Sequence, residues 1–395
     1  MKYHFLVGND NGNSEHDIYV DGELMQQPNV NVLMDKLPWN NDKDTPVNIL
    51  IKEIQDNIIV TVNSPSARPG IYYIGKKALS CGSTIDNMQV GVDDKSMSEI
   101  PIVNTLALIA VKAVENAFNE ASELSEKIEI SIDMATALPV TQYSEAAANR
   151  FKEKFMKGTH CITLHVGPNR VDISIRFEFV KIVPEGTPVI FALQSMEQDF
   201  YKEFNKLYNI NIDGTYFCDK RVLHVDIGDG TTEYPVTEGS KFMKDFIDGS
   251  NNGAGHAIEN SLSDFMREAN LPEVTRQYME EVLKGSDPYK AKYLSKAKKA
   301  ISVQISNEAR QILKKVVSQL QKIRNEIDII AVYGGGSILM RDSLFDEIKR
   351  IADDREVKLL YVSPQYAVTL NAAGLEKFVS GDIYKALKER AVKTV

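Results

Sequence analysis

Cysteine is scarce in this chain of 395 residues: Cys81, Cys161 and Cys218 stand far apart. Three scattered thiols suit neither a disulfide framework nor a cysteine-ligated zinc site, which points to a reducing, cytoplasmic setting. The single tryptophan, Trp39, lies in an Asn-, Asp- and Pro-rich stretch that reads as a locally packed surface excursion. No apolar run approaches the roughly 18–20 residues of a membrane span. The first apolar run, Tyr3 to Val7, meets Asp10 too soon for a signal peptide and reads as a strand. Positive charge is in deficit. Lys and Arg number 46 against 55 Asp and Glu, a net charge of −9, and no basic block exceeds Lys296-Ala297-Lys298-Lys299. A direct duplex-DNA binder concentrates positive charge on one face, so contact with nucleic acid is expected only through a partner. At about 150 residues per domain, the length accommodates two or three domains.

What is present alternates between strand and helix periods, the pattern of a mixed α/β fold. After Tyr3–Val7 come the polar turn Gly8–Ser14, the apolar Ile18–Val20 and a second turn at Asp21-Gly22. A helix is predicted from Asn104, with Leu106, Ile109, Ala110, Ala113 and Ala117 on one stripe. Ser144 to Lys157 reads as another, closed by Gly158, and Val189 to Leu207 as a helical connector. Ile162, Leu164 and Val166 pair with Val171, Ile173 and Ile175 across Gly167-Pro168-Asn169 as a hairpin. The opening pattern then returns: Val222–Val225, the turn Asp226-Ile227-Gly228-Asp229-Gly230-Thr231-Thr232, and a further strand interrupted by Pro235. The acidic turns lie 216 residues apart, about half the chain, which predicts a duplicated unit. A long helix over Lys296–Lys322 leads into Ile329–Val332 and Gly334-Gly335-Gly336.

Glycines at alternate positions in the second turn let successive N–H groups face an anion, because no Cβ blocks the approach. Thr231 and Thr232 add hydroxyl donors, and Asp226 at the strand end can hold the water shell of Mg²⁺. A ligand-free glycine-rich hairpin uses the same residues. Asp10-Asn11-Gly12-Asn13-Ser14 offers the same chemistry from the other half, and two facing copies would clamp a triphosphate between two domains. Gly334-Gly335-Gly336-Ser337 permits close approach of a base or ribose, or simply a tight strand-to-helix turn. Asn251 to His256 reads as a polar turn entering a helix, suited to ligand contact or to a small-residue crossing.

Taken in order, Asp10-x-Gly12, Asp226-x-Gly228-x-Gly230-Thr231 and Gly334-Gly335-Gly336 resemble the two phosphate motifs and the adenosine motif of the actin-like ATPase superfamily. Ala135 to Tyr143 and Val183-Pro184-Glu185-Gly186-Thr187-Pro188 are similar to segments of its ParM-type bacterial plasmid-segregation branch, as is Ser363-Pro364-Gln365-Tyr366 with Asn371 to Gly374. The resemblance runs from Asp10 to Gly374.

It implies two domains, each on a ribonuclease-H-like sheet, with a nucleotide in the cleft between them: domain I from 1–208 and 363–395, domain II from 209–362. ATP or GTP with Mg²⁺ would be held by Asp10, Asn11, Gly12, Asn13, Gly228, Asp229, Gly230, Thr231, Thr232, Gly334, Gly335, Gly336 and Ser337. Asp10 and Asp226 would organise the hydrated metal, and Glu185 and Asp226 would be the catalytic carboxylates. Implied partners are further copies of the chain, as a dynamic filament, and an adaptor on a centromere-like plasmid site. The alternative is a sugar-type kinase of the same superfamily, with Asp133 as its base. A third possibility, membrane attachment through Asp382–Val392, is disfavoured because that stretch lacks a bulky apolar face. One departure stands out. Relatives usually carry a lysine shortly after the first Asp-x-Gly, and here Ser14-Glu15-His16-Asp17 has none. Another cation serves, or Mg²⁺ and backbone donors carry the phosphates.

Overall fold

In the computed structural model, which describes residues 1–38, 44–82, 84–88, 93–285 and 287–393, the opening strand runs from Lys2 to Asn11. Trp39 lies outside the described residues. Met1–Leu138, Gln142–Pro184 and Ala372–Val395 form one compact unit, and Pro139–Thr141 with Glu185–Asn371 form a second. In this division 185–208 and 363–371 pack with the second unit. Aromatic burial is the reason. Instead of one connector helix, Val189–Leu193, a 3₁₀ turn at Gln198–Tyr201 and Lys202–Tyr208 follow one another. Tyr201 stacks on Phe217 and Phe200 packs edge-on against Tyr366, while the Leu359 N–H donates to the Tyr208 hydroxyl at 2.6 Å.

The first unit carries a ten-stranded sheet. At one end Glu23–Pro28, Glu15–Val20 and Lys2–Asn11 form an antiparallel meander. Lys2–Asn11 then runs parallel to Lys127–Leu138, and that strand parallel to Asn169–Pro184. Beyond it His160–Val166 closes the predicted hairpin, with Val171 opposite Leu164, Ile173 opposite Ile162, and Gly167 at φ +59°. The helix expected from Asn104 begins at Ile100 and ends at Ala121. By length and composition it is apolar enough to cross a membrane, but 83% of its apolar window is buried in this unit's core. Its hydrophobicity runs round the helix because neighbours cover it on more than one side. Ser144 caps Glu145–Met156 by accepting the Ala147 N–H at 3.1 Å.

The C-terminal helix Asp382–Lys393 is docked on this unit. The buried Tyr384 hydroxyl donates to the Phe179 carbonyl at 2.8 Å, and the Lys388 ammonium bonds Asp133 at 2.7 Å and Glu178 at 2.9 Å. Just before it, Leu370–Ser380 presses on the opening strand at Gly8. A Cβ there would stand 2.4 Å from the Glu376 nitrogen and 2.7 Å from its Cα. Backbone cannot move aside as a flexible side chain does, so Gly8→Ala is expected to cost about 2–3 kcal/mol. A thermal melt no lower than wild type would refute that tight packing.

The second unit is built on Arg221–Ile227. One edge of that strand pairs antiparallel with Thr232–Glu233 and Val236–Glu238, the other parallel with Ile329–Tyr333, which continues to Lys358–Tyr361. Pro235 breaks the hairpin in two, as a residue without an N–H must. The long helix runs Leu294–Lys322 and buries Ala297, Ile301, Ile305, Ala309, Ile312, Val316 and Leu320 along one stripe. Both units therefore open alike, with an acid-ended strand, an antiparallel return and a parallel neighbour. The duplication extends to the register: Asp10 faces Asp17, and Asp226 faces Glu233.

Candidate functional site

In the second unit, the turn after Asp226 closes with the Gly228 N–H donating to the Thr231 carbonyl at 2.9 Å. The Asn251–His256 segment braces it from behind. Ala254 N–H donates to Gly228 O at 3.1 Å, Gly255 N–H to Asp229 O at 2.8 Å, and the Thr232 hydroxyl to Asn252 O at 2.7 Å. That segment therefore supports the turn within one unit. The Asp229 carboxylate is committed to the buried Arg276 guanidinium at 2.9 Å, and Arg276 also pairs with Glu280 at 3.1 Å. What Asp229 can offer a ligand is its backbone.

The triglycine lies against this turn. Gly334 has φ +86°, and a Cβ on it would sit 2.4 Å from the Ile227 carbonyl and 2.7 Å from Asp226 Oδ1. At Gly336 a Cβ would meet Gly228 O at 2.9 Å, while Gly335 is exposed with nothing close. The buried Ser337 hydroxyl donates to Gly334 O at 2.7 Å, so it braces the motif. Gly228, Gly230, Thr231 and the triglycine, about 100 residues apart in sequence, thus share one corner of one unit.

Three carboxylates converge there. Asp226, only 5% exposed, accepts the Asn371 amide at 2.6 Å, and Asn371 Oδ1 accepts the Gly186 N–H at 3.2 Å. One amide thus ties Asp226 to the turn carrying the half-buried Glu185. The Tyr333 hydroxyl donates to Gly186 O at 3.2 Å, and the buried His224 beside it is held near pKa 3 by burial, hence neutral. The third carboxylate, Glu233, is one that motif reading misses. It is 1% exposed, and burial first, then the charges of Glu185 and Asp226, push its pKa well above the usual carboxylate range. The Thr231 hydroxyl and Val140 N–H adjoin it and partly offset that rise, without a hydrogen bond of good geometry to either oxygen. Gly249 makes room for it, since a Cβ there would lie 2.4 Å from Glu233 Oε2. The seven-residue interval from Asp10 to Asp17, repeated from Asp226 to Glu233, is the sequence signal that could have found it.

A carboxyl with a raised native pKa keeps its proton in the folded state while the unfolded chain loses it near pH 4.3, so stability falls as pH rises beyond that value. Glu233→Gln removes the effect. Without nucleotide or Mg²⁺, the wild type is expected to lose more melting temperature between pH 5 and pH 8 than Glu233→Gln does. Parallel profiles would exclude a protonated Glu233.

In the first unit, Asp10 is half-buried, and side-chain amides brace its turn. Asn29 Nδ2 donates to Asn11 Oδ1 at 2.8 Å and to Gly12 O at 2.5 Å, and Asn104 donates to Asn29 Oδ1 at 2.8 Å. Asn13, also half-buried, lies in the same turn. The buried His16 bonds Asn9 Oδ1 at 2.6 Å. Asp133, the base of the kinase alternative, bonds Lys388 through Oδ2, with His4 Nε2 3.3 Å from the same oxygen. His4, Asp133 and Glu178 are the one cluster among the described residues with metal-ligand geometry, and Lys388 already neutralises both carboxylates. Lys296, Lys298 and Lys299 lie on an exposed helix face.

A family model described as archaeal actin homologue MreB-like, C-terminal, matches residues 224–346. Over the whole chain, the fold matches that of the actin-like protein Alp7A with a TM-score of 0.66 at 16% identity, covering 100% of this chain and 99% of that one. Ta0583, an archaeal actin homolog solved in complex with ADP, matches at 0.58 and 16% identity, covering 94% and 97%. ParM from Bacillus thuringiensis, solved with ATP, matches at 0.57 and 16% identity, covering 97% and 99%. No curated protein matches the sequence. The fold is the actin-like two-domain fold.

Proposed function

We propose that this chain is a nucleotide-dependent, self-assembling actin-like protein whose filaments turn over through hydrolysis of ATP or GTP, in the service of plasmid segregation. The observation that carries the reading is the corner of the second unit where Asp226, Glu185 and Glu233 meet a glycine-bounded turn. The whole-chain likeness to Alp7A and ParM supports the assembly part of it.

In this reading the N–H groups of Asp229, Gly230 and Thr231 hold phosphate oxygens, and those around Gly12 offer the same donors in the first unit. The Asp226 carboxylate is a hard oxygen donor of the kind that holds Mg²⁺ through water. When bound, that ion neutralises phosphate charge. Glu185 orients the attacking water and takes its proton, with Asn371 fixing the distance between the Glu185 turn and Asp226. Neutral Glu233 keeps a third negative charge away from the phosphates. Gly334, Gly335, Gly336 and Ser337 border the nucleoside. An adaptor bound to plasmid DNA is the proposed partner, since the acidic chain is unsuited to direct contact.

The test is sedimentation of purified protein at several concentrations with Mg²⁺ and ATP, GTP or neither, with phosphate release read in parallel. Sediment that needs nucleotide and appears above a critical concentration, with phosphate release rising alongside, is the expected result. Protein soluble under every condition would overturn the filament reading and leave the kinase alternative, for which Asp133 would have to leave Lys388.

A further inference from the structure

Every carbonyl of the turn from Gly228 to Thr231 is already bonded. Gly228 O accepts the Ala254 N–H, Asp229 O the Gly255 N–H and Thr231 O the Gly228 N–H, while His256 Nε2 donates to Gly230 O at 3.0 Å. Among the described residues no protein acceptor meets the N–H groups of Asp229, Gly230 and Thr231. A row of open donors attracts any anion within reach. The first such anion is the turn's own, because an Asp side chain in a turn commonly accepts the N–H two residues on. For Asp229 that N–H belongs to Thr231.

The Asp229 carboxylate is bound elsewhere. Its Oδ2 lies 2.9 Å from Arg276 Nη1, and Arg276 Nε lies 3.1 Å from Glu280 Oε1. Arg276 is 8% exposed, and a guanidinium is kept out of water only where carboxylates offset the cost. It opens the helix Arg276–Lys284, which Thr275 caps by accepting the Tyr278 N–H at 3.2 Å. Met279 and Val282 of that helix are seated in the core of the second unit, so the guanidinium holds a fixed place. Gly255 leaves the carboxylate its room, since a Cβ there would stand 2.7 Å from Asp229 Cγ.

We infer that Arg276 is a positioning residue for anion binding at this turn. By claiming the Asp229 carboxylate, it keeps the N–H groups of Asp229, Gly230 and Thr231 open for a phosphate group and keeps a negative charge off the place that group takes. Arg276 does not itself serve the phosphate, because two carboxylates already claim it. The inference rests on the nucleotide-binding reading above.

The test is equilibrium titration with ATP and adenosine, and with GTP and guanosine, in the presence of Mg²⁺. Arg276→Gln frees the carboxylate to close on the Thr231 N–H. Triphosphate binding is then expected to weaken roughly 10- to 100-fold, the worth of a hydrogen bond to a charged group, with nucleoside binding unchanged. Adding Asp229→Ala removes the competing carboxylate and should restore most of the loss, which no variant that merely loosened the fold would do. An Arg276→Gln chain with the wild-type preference for triphosphate over nucleoside would overturn the inference, as would a double variant that binds triphosphate no better than the single one. A wild type that binds neither ATP nor GTP would overturn the nucleotide reading instead. Gly255→Ala displaces the same carboxylate with Arg276 intact, and it serves if Arg276→Gln does not fold. The same selective loss, again reversed by Asp229→Ala, is expected; an unchanged preference for triphosphate would refute the role given to the carboxylate.

Discussion

In Glu185→Ala, phosphate release is expected to fall about 100- to 10,000-fold, the range for loss of a positioned general base, while nucleotide-dependent assembly persists. Glu185 is half-buried and its turn is held at Gly186 by the Asn371 amide and the Tyr333 hydroxyl, so the fold should tolerate the loss. Assembly without hydrolysis gives filaments that outlive those of the wild type, visible as sediment that persists after wild-type filaments have spent their nucleotide and fallen apart. A second consequence is internal to the site. Removing the Glu185 charge relieves part of the upward shift on Glu233, so the melting temperature of Glu185→Ala should fall less between pH 5 and pH 8 than that of wild type. Equal phosphate release by variant and wild type would remove Glu185 from the chemistry.

Asp226→Ala is expected to abolish measurable hydrolysis and filament turnover, a loss of at least about 100-fold. Two effects contribute, and a second variant separates them. Alanine removes the charge and also leaves the buried Asn371 amide without its 2.6 Å acceptor. Asp226→Asn keeps an acceptor and removes only the charge. If the charge on the metal's water shell is what matters, both variants lose Mg²⁺-dependent hydrolysis equally, but only Asp226→Ala melts markedly lower. Hydrolysis at the wild-type rate in Asp226→Asn would exclude the carboxylate as the metal's anchor.

The carboxylate corner was only half legible in sequence. Asp226 and the glycines announce themselves, because a short acidic glycine-rich turn after an apolar strand is a local pattern. Glu233 sits in Thr-Glu-Tyr-Pro, which reads as an ordinary strand residue. Its importance comes from Glu185, 48 positions earlier, and from Gly249, whose missing side chain gives the carboxyl its space. Where the units divide is hidden in the sequence for a similar reason. The helical pattern from Val189 to Leu207 says nothing about which sheet it packs on, and Tyr201 on Phe217 decided that.

The sequence alone determined the alternation of strands and helices, the duplicated acidic turn and the positions where only glycine serves. Each depends on side-chain period or backbone freedom within a few neighbouring residues. Tertiary structure decided which charges meet. It set Asn371 on Asp226, Arg276 on Asp229 and Lys388 on Asp133. Electrostatic energy depends on distance and burial, and neither can be read along the chain.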